Sequence, residues 1–172
     1  YGFAAVGSYM VAGITQSYLM YFFTDILIIP SAFVMMLMIV ARVWDALNDP
    51  MMGVIVDRTS TKYGKMRPYV LIGSFLMLVT TIVLFMPLTG APTMFKMIFA
   101  AVSYIIFGMA YTLTDVPAMG LMSVATPSSD ERASLLSFYV TVGSVGSLLP
   151  VGLLTIFQSF IPEKYVYFAM SI

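Results

Sequence analysis

Three aspartates and an arginine stand at positions where the surrounding residues are almost all apolar. Arg42, Asp45 and Asp49 recur at i, i+3 and i+7, so on a helix they share one stripe. Asn48 lies one residue off that stripe. Further along, Thr112 and Asp115 stand at i and i+3, and Pro117 follows. A proline inside a helix removes a backbone donor and leaves the carbonyl four residues back without its partner. Pro50 does the same beside Asp49. Carboxylates, a threonine hydroxyl and freed carbonyls make an all-oxygen environment, which suits a hard cation or a proton rather than a soft metal. Arg42 with one aspartate can form an inert pair that locks two helices together, but one guanidinium does not neutralise three carboxylates. Like charges held close in a low dielectric cannot all stay ionised, so the surplus calls for a cation or a proton.

The elements that position these residues follow from composition. Of 172 residues, 60% are hydrophobic and 9% are charged, against roughly 25% charged in soluble domains. Eight basic and eight acidic side chains cannot cover a water-soluble surface of this size, and the mean hydropathy of +0.97 agrees. The chain reads as an all-α transmembrane protein in contact with the lipid bilayer. Without Cys or His it has no disulfide framework, no thiolate or imidazole base and no ordinary transition-metal site. Zero net charge gives no electrostatic basis for binding nucleic acid. The acidic cluster has no evident nucleophile beside it, which argues against an enzyme.

A spanning helix needs about 20 mostly apolar residues. Five such runs are read at 2–24, 30–56, 68–88, 94–122 and 133–160, and a sixth starts near Lys164, giving about five and a half helices. None alternates with the period of two that a membrane strand needs. The chain starts without Met and stops inside an apolar run, so it reads as a piece of a larger protein. Arg58, Lys62, Lys65, Arg67 and Arg132 fall on one side of the spans, and Lys96 and Lys164 on the other. That asymmetry predicts a cytoplasmic 57–67 loop and a cytoplasmic N-terminus. Four charges remain inside spans: Arg42, Asp45, Asp49 and Asp115. Each costs roughly 2.5–3.5 kcal/mol near the bilayer centre, so all four must face protein or water. On the first run Tyr9 and Gln16 are seven apart, with Thr15 adjacent. Gln16 either faces an aqueous cavity and hydrogen-bonds a polar solute, or ties two helices together. Gly143, Ser144, Gly146, Ser147 and Gly152 on the fifth run point to close helix packing.

The stretch from Gly53 through Asp57-Arg58 to Gly64-Lys65-Met66-Arg67-Pro68 resembles the cytoplasmic loop signature of the major facilitator superfamily. In it Gly53 lets another helix approach. Asp57, at a helix C-terminal end where a carboxylate is unfavourable, implies a basic partner or the N-terminus of another helix. A plain topogenic basic loop is the simpler reading. The stretch Ala41-Arg-Val-Trp-Asp45-Ala-Leu-Asn48-Asp49-Pro-Met-Met-Gly53 resembles the second-helix motif of the glycoside–pentoside–hexuronide:cation symporters. Residues 18–25 and Tyr111-Thr-Leu-Thr-Asp115-Val-Pro117 are similar to that family's first and fourth helices. The resemblance covers about residues 1–137.

It implies a twelve-helix protein in two halves, with residues 1–172 as the N-terminal six-helix bundle and the C-terminal half as its partner. It implies cation binding at Asp45, Asp49 and Thr112, with Asn48 affecting the choice of cation. Asp115 would serve both sugar and cation, with Gln16, Tyr9 and Arg42 on the substrate side. The gating loop would use Gly53, Asp57, Arg58, Gly64, Lys65 and Arg67. Tyr9 stands where galactoside-type members carry an acidic residue. Met119 replaces an aromatic and Val140 an arginine. The cation half of the pattern is kept while much of the sugar half is changed. The expectation is a plasma-membrane secondary transporter that moves a sugar with Na⁺ or H⁺ by alternating access, with no cofactor beyond that ion. The alternatives are a cation-coupled transporter of a non-sugar solute such as a lipid or drug-like molecule, and a non-transporting membrane scaffold or sensor.

Overall fold

Prolines set most of the helix starts in this chain, because the ring fixes φ at a helical value and needs no donor. The computed structural model describes residues 2–62 and 64–171. Its elements are α1 (Gly2–Tyr21), continued by a π-helical segment (Phe22–Ile26), then α2 (Ser31–Arg58), α3 (Arg67–Leu84), α4 (Thr93–Ser123), α5 (Ser129–Gln158) and α6 (Glu163–Met170). Pro30, Pro92 and Pro162 directly precede α2, α4 and α6, and Pro68 lies in the first turn of α3. No strand occurs among the described residues. Two boundaries differ from expectation by a full turn. α5 begins earlier because Asp130 and Glu131 favour its N-terminal dipole. α3 ends earlier because Pro87 disfavours helix in the residue before it.

Four helices, α2 to α5, are long and apolar enough to cross a membrane. Five full spans were expected. α1 falls outside because its 20 residues include Ser8, Thr15, Gln16 and Ser17, and α6 has only eight residues. The helices run through Pro50, Pro117 and Pro150 without breaking. Large apolar side chains such as Leu71, Phe75, Met94 and Leu148 point outward, which suits a hydrocarbon surround.

α1 packs on α5, α3 on α4, and α2 on α4. The α1–α5 crossing depends on glycine. A methyl group at Gly13 would sit 2.6 Å from the carbonyl oxygen of Ser147, and one at Gly146 would sit 2.8 Å from that of Val6. Gly143 receives the Tyr9 ring. Gly152 takes no part in this packing, since a side chain there would meet nothing within 4 Å, and Ser144 is exposed. At the end remote from residues 57–67, Phe22, Phe85 and Tyr167 form an aromatic knot, with Phe22–Phe85 centroids 5.2 Å apart.

Gly64 adopts φ +93°, a conformation that favours glycine, and so closes the turn after α2. Its amide donates to the Thr61 carbonyl at 3.1 Å. The basic partner expected for Asp57 is Lys65, but its amine donates to the main-chain oxygen of Asp57 at 3.2 Å. The carbonyls that end a helix lack intrahelical donors, so this is where a lysine is useful. Gly53 does not serve a helix approach within this chain, because a side chain there would meet nothing within 4 Å among the described residues. Lys96, expected at a helix end on the side opposite the 57–67 loop, lies in the first turn of α4 but is buried there, 6% exposed.

The glycine contacts give a direct test. Gly146→Val should lower the thermal stability of the detergent-purified protein by about 1–3 kcal/mol, the usual scale of overpacking. Gly152→Ala should leave it unchanged. Equal melting of both variants and the parent would contradict the α1–α5 packing.

Candidate functional site

α2 and α4 run side by side in the same direction, and the site grows from that pairing. Asp45 lies against Gly108, and one turn on Asp49 lies against Thr112. A methyl group at Gly108 would sit 3.0 Å from Asp45 Oδ1, so the missing side chain makes room for the carboxylate. The Thr112 hydroxyl donates to Asp49 Oδ1 at 2.8 Å. The same four-residue step on both helices, 45 to 49 and 108 to 112, keeps both contacts in register.

Beside this seam is a cavity of about 190 Å³. α1 contributes Ala12, Thr15 and Gln16 to it. α2 contributes Ala41, Arg42, Asp45 and Asp49, and α4 contributes Tyr104, Phe107, Gly108, Tyr111, Thr112, Asp115 and Val116. Six residues singled out by sequence therefore share one cavity: Gln16, Arg42, Asp45, Asp49, Thr112 and Asp115. Thr15 spends its hydroxyl on the Val11 carbonyl at 2.9 Å. Asp115 Oδ1 is buried and has no hydrogen-bond partner among the described residues. An unsatisfied buried polar atom costs about 1–3 kcal/mol, more if charged, so this oxygen is chemically unspent. The three carboxylates share the wall without closing on one point. Among the described residues no three acidic, histidine or cysteine side chains are grouped to hold a metal ion. A cation here would be held by fewer carboxylates, with hydroxyl or carbonyl oxygens completing its shell.

Other predicted residues lie elsewhere. Tyr9 does not line the cavity. Its ring meets Tyr139 edge-on, centroids 5.8 Å apart at 79°. Asn48 is 7% exposed and off the cavity, with its Nδ2 lacking a partner among the described residues, as is also true of the buried Trp44 Nε1. Met119 and Val140 are outside the lining, as are Gly53, Asp57, Arg58, Gly64, Lys65 and Arg67, which lie along the last turns of α2 and the turn into α3. The sequence reading left out the aromatic wall of Tyr104 and Phe107, and Gly108 beside it. A signal existed: 104, 108, 111 and 115 are spaced as one helical stripe ending at Asp115. A second cavity of about 270 Å³ lies between α1, α3, α4 and α5, lined by residues such as Ser8, Ser74, Thr114 and Tyr139. It is the larger of the two but holds no charged group, so the smaller one carries the chemistry.

Comparison with known proteins fits this geometry. Residues 1–172 match the family described as MFS/sugar transport protein. The chain is 33% identical over 153 residues to an inner membrane symporter of Escherichia coli, covering 87% of this chain and 32% of that protein. It is 35% identical over 150 residues to an uncharacterized symporter of Bacillus subtilis, covering 86% of this chain and 32% of that protein. An isoprimeverose transporter of Lactiplantibacillus pentosus is 31% identical over 136 residues, 79% of this chain and 28% of that protein. The chain thus spans about a third of the length of these relatives. With the acidic stripe of α2, the Thr112–Asp115 pair of α4 and these matches in agreement, the chain belongs to the glycoside–pentoside–hexuronide:cation symporter family of the major facilitator superfamily.

Proposed function

We propose that the whole protein carries out cation-coupled symport of a sugar or glycoside by alternating access, with the cavity between α1, α2 and α4 as one wall of its binding site. The observation that carries this reading is the unpartnered, buried Asp115 oxygen in the same cavity as Asp45 and Asp49. A Na⁺ ion or a proton supplies the positive charge that Arg42 alone does not. Asp49 and the Thr112 oxygen offer adjacent ligands to Na⁺ once the hydroxyl proton turns away. Asp115 then accepts hydrogen bonds from solute hydroxyls. Gln16 and Arg42 add polar contacts, and Tyr104, Phe107 and Tyr111 offer flat faces for the C–H side of a sugar ring. Because Asp115 touches both ligands, each raises the affinity of the other, and by linkage the factor is the same in both directions. The 57–67 loop lies on the cytoplasmic side and latches it in one state.

Uptake of a sugar panel by the intact protein in vesicles, with and without Na⁺ and with and without a proton gradient, tests the reading. Uptake of at least one sugar should rise with one of the two ions. No response of any sugar to either ion would overturn it, and ion-driven movement of a non-sugar solute alone would replace the sugar while keeping the coupling. Asp45→Asn should abolish ion-stimulated uptake, because it cuts the surplus of carboxylates over Arg42 in the cavity from two to one and so halves the charge a cation is needed to offset. A scaffold or sensor would be indifferent to that change.

The Thr112–Asp49 contact yields a second expectation. Thr112→Ala should weaken ion activation roughly tenfold, the scale of one hydrogen bond to a charged group. Thr112→Ser, which keeps the hydroxyl, should stay near the parent. Matching ion dependence in the alanine and serine variants would remove Thr112 from the cation site.

A further inference from the structure

α1 and α4 form opposite walls of the cavity, yet they are not among the closely packed helix pairs: α1 rests on α5, and α4 rests on α3 and α2. Something must set the distance between them. Near the 57–67 loop it is an apolar cluster of Ala5, Met122 and Tyr139. At the opposite end Leu19, Phe22, Phe23 and Leu27 share an apolar cluster with Ala100 and Phe107, and within it one charged group reaches across. Lys96, in the first turn of α4, is 6% exposed and donates from Nζ to the carbonyl oxygen of Leu27 at 3.0 Å.

That carbonyl ends the α1 unit. The Leu27 amide closes back on Phe22 at 3.0 Å and the Ile29 amide on Phe23 at 2.9 Å, a widened last turn that continues the π-helical segment. The next residue, Ile28, has φ 57°, a costly conformation for a β-branched side chain. A helix end carries partial negative charge and free carbonyls, so a cation there is favourable. Here the cation comes from another helix, 69 residues away. Burying an ammonium carries a large desolvation cost even after relaxation. A methionine would fill the same space without that cost, so packing alone does not account for the lysine. The nearest acid in sequence, Asp25, is exposed and accepts from the Thr24 hydroxyl at 2.6 Å. The one side-chain bond of Lys96 among the described residues goes to the α1 terminus.

We propose that Lys96 is a positioning residue for the transport site: its ammonium clamps the π-helical end of α1 to α4 and so fixes the separation of the two walls that present Gln16 and Asp115. The clamp stands about 18 Å along α4 from Gly108, taking 1.5 Å per residue, so it acts through the two helices and not by touching cargo. The functional part of this inference rests on the symport reading above; the structural part does not.

The test uses the intact protein and two readouts. Nitroxide labels at Met20→Cys and Met94→Cys, both exposed positions near the clamped ends, report the α1–α4 distance by pulsed EPR. In the lysine parent the distance distribution should be narrow. Lys96→Met should broaden or lengthen it, and Lys96→Arg, which keeps a charged donor, should restore it. In uptake normalised to folded protein, Lys96→Met should weaken the apparent affinities for ion and sugar together, roughly tenfold as for one charge-assisted hydrogen bond, and arginine should recover most of that loss. An unchanged distance distribution in Lys96→Met overturns the clamp. A broadened distribution with unchanged affinities reduces Lys96 to a helix cap and overturns the positioning role. If Lys96→Met does not accumulate, Lys96→Leu, which also lacks a donor, is measured in the same way and read by the same criteria. If the parent itself shows no ion-dependent sugar uptake, the symport reading fails while the distance measurement still decides the clamp.

Discussion

A charge surrounded by hydrocarbon must find its compensation inside the protein, and this condition organises the whole bundle. Four of the sixteen charges lie deep in helices, and all four line one cavity. The cavity exists because the helices are packed unevenly. Gly13 and Gly146 bring α1 and α5 almost to backbone contact, while α3 takes one flank of α4 and α2 another. α1 and α4 are left apart, and the polar groups occupy the gap. Close packing by small residues elsewhere thus leaves the room in which charged residues are tolerated.

Much of the site is legible in the sequence because helical periodicity converts spacing into direction. Arg42, Asp45 and Asp49 had to share a stripe, and so did Thr112 and Asp115. The pairing of the two stripes needed only that the helices run parallel with the same step. What was not legible depends on neighbours. Asn48 is one residue from Asp49, but that step turns it about 100° round the helix, out of the cavity lining and into a buried position. Tyr9 and Gln16 share a side of α1 by spacing, yet two turns separate them, and at the level of Tyr9 the adjacent helix is α5. Its ring therefore meets Tyr139 and Gly143 rather than the cavity.

The helix count was legible for the same reason, and its errors are instructive. Counting lysines by side assumes that a lysine at a helix end is solvated. Lys96 is not, because the terminus of α1 offers it a carbonyl within the protein. Likewise the Gly53–Arg67 stretch names the right residues, but the pairings inside it come from the turn. Gly64 at positive φ brings Lys65 back over the end of α2, and the amine finds the Asp57 carbonyl rather than its carboxylate. Sequence gave the groups that need partners, whereas the backbone path decided which atoms met.

The arrangement of the carboxylates bears on how such a site could let its cargo go. Three acids fixed around one point would make a cage, and a cage that binds an ion strongly releases it slowly. Passage requires binding that is favourable enough to load and weak enough to unload. Here Asp45 and Asp49 lie one turn apart on α2, and Asp115 comes from α4, one turn of the chain from the Thr112 that bonds Asp49. The compensation is spread over two helices instead of concentrated. On the symport reading, an ion beside Asp49 and Thr112 also draws on Asp115, and the same carboxylate accepts from the solute hydroxyls. Occupancy by both is then better than occupancy by either, which is the physical content of coupling. It follows from one carboxylate that two ligands share, so the binding of each is felt by the other.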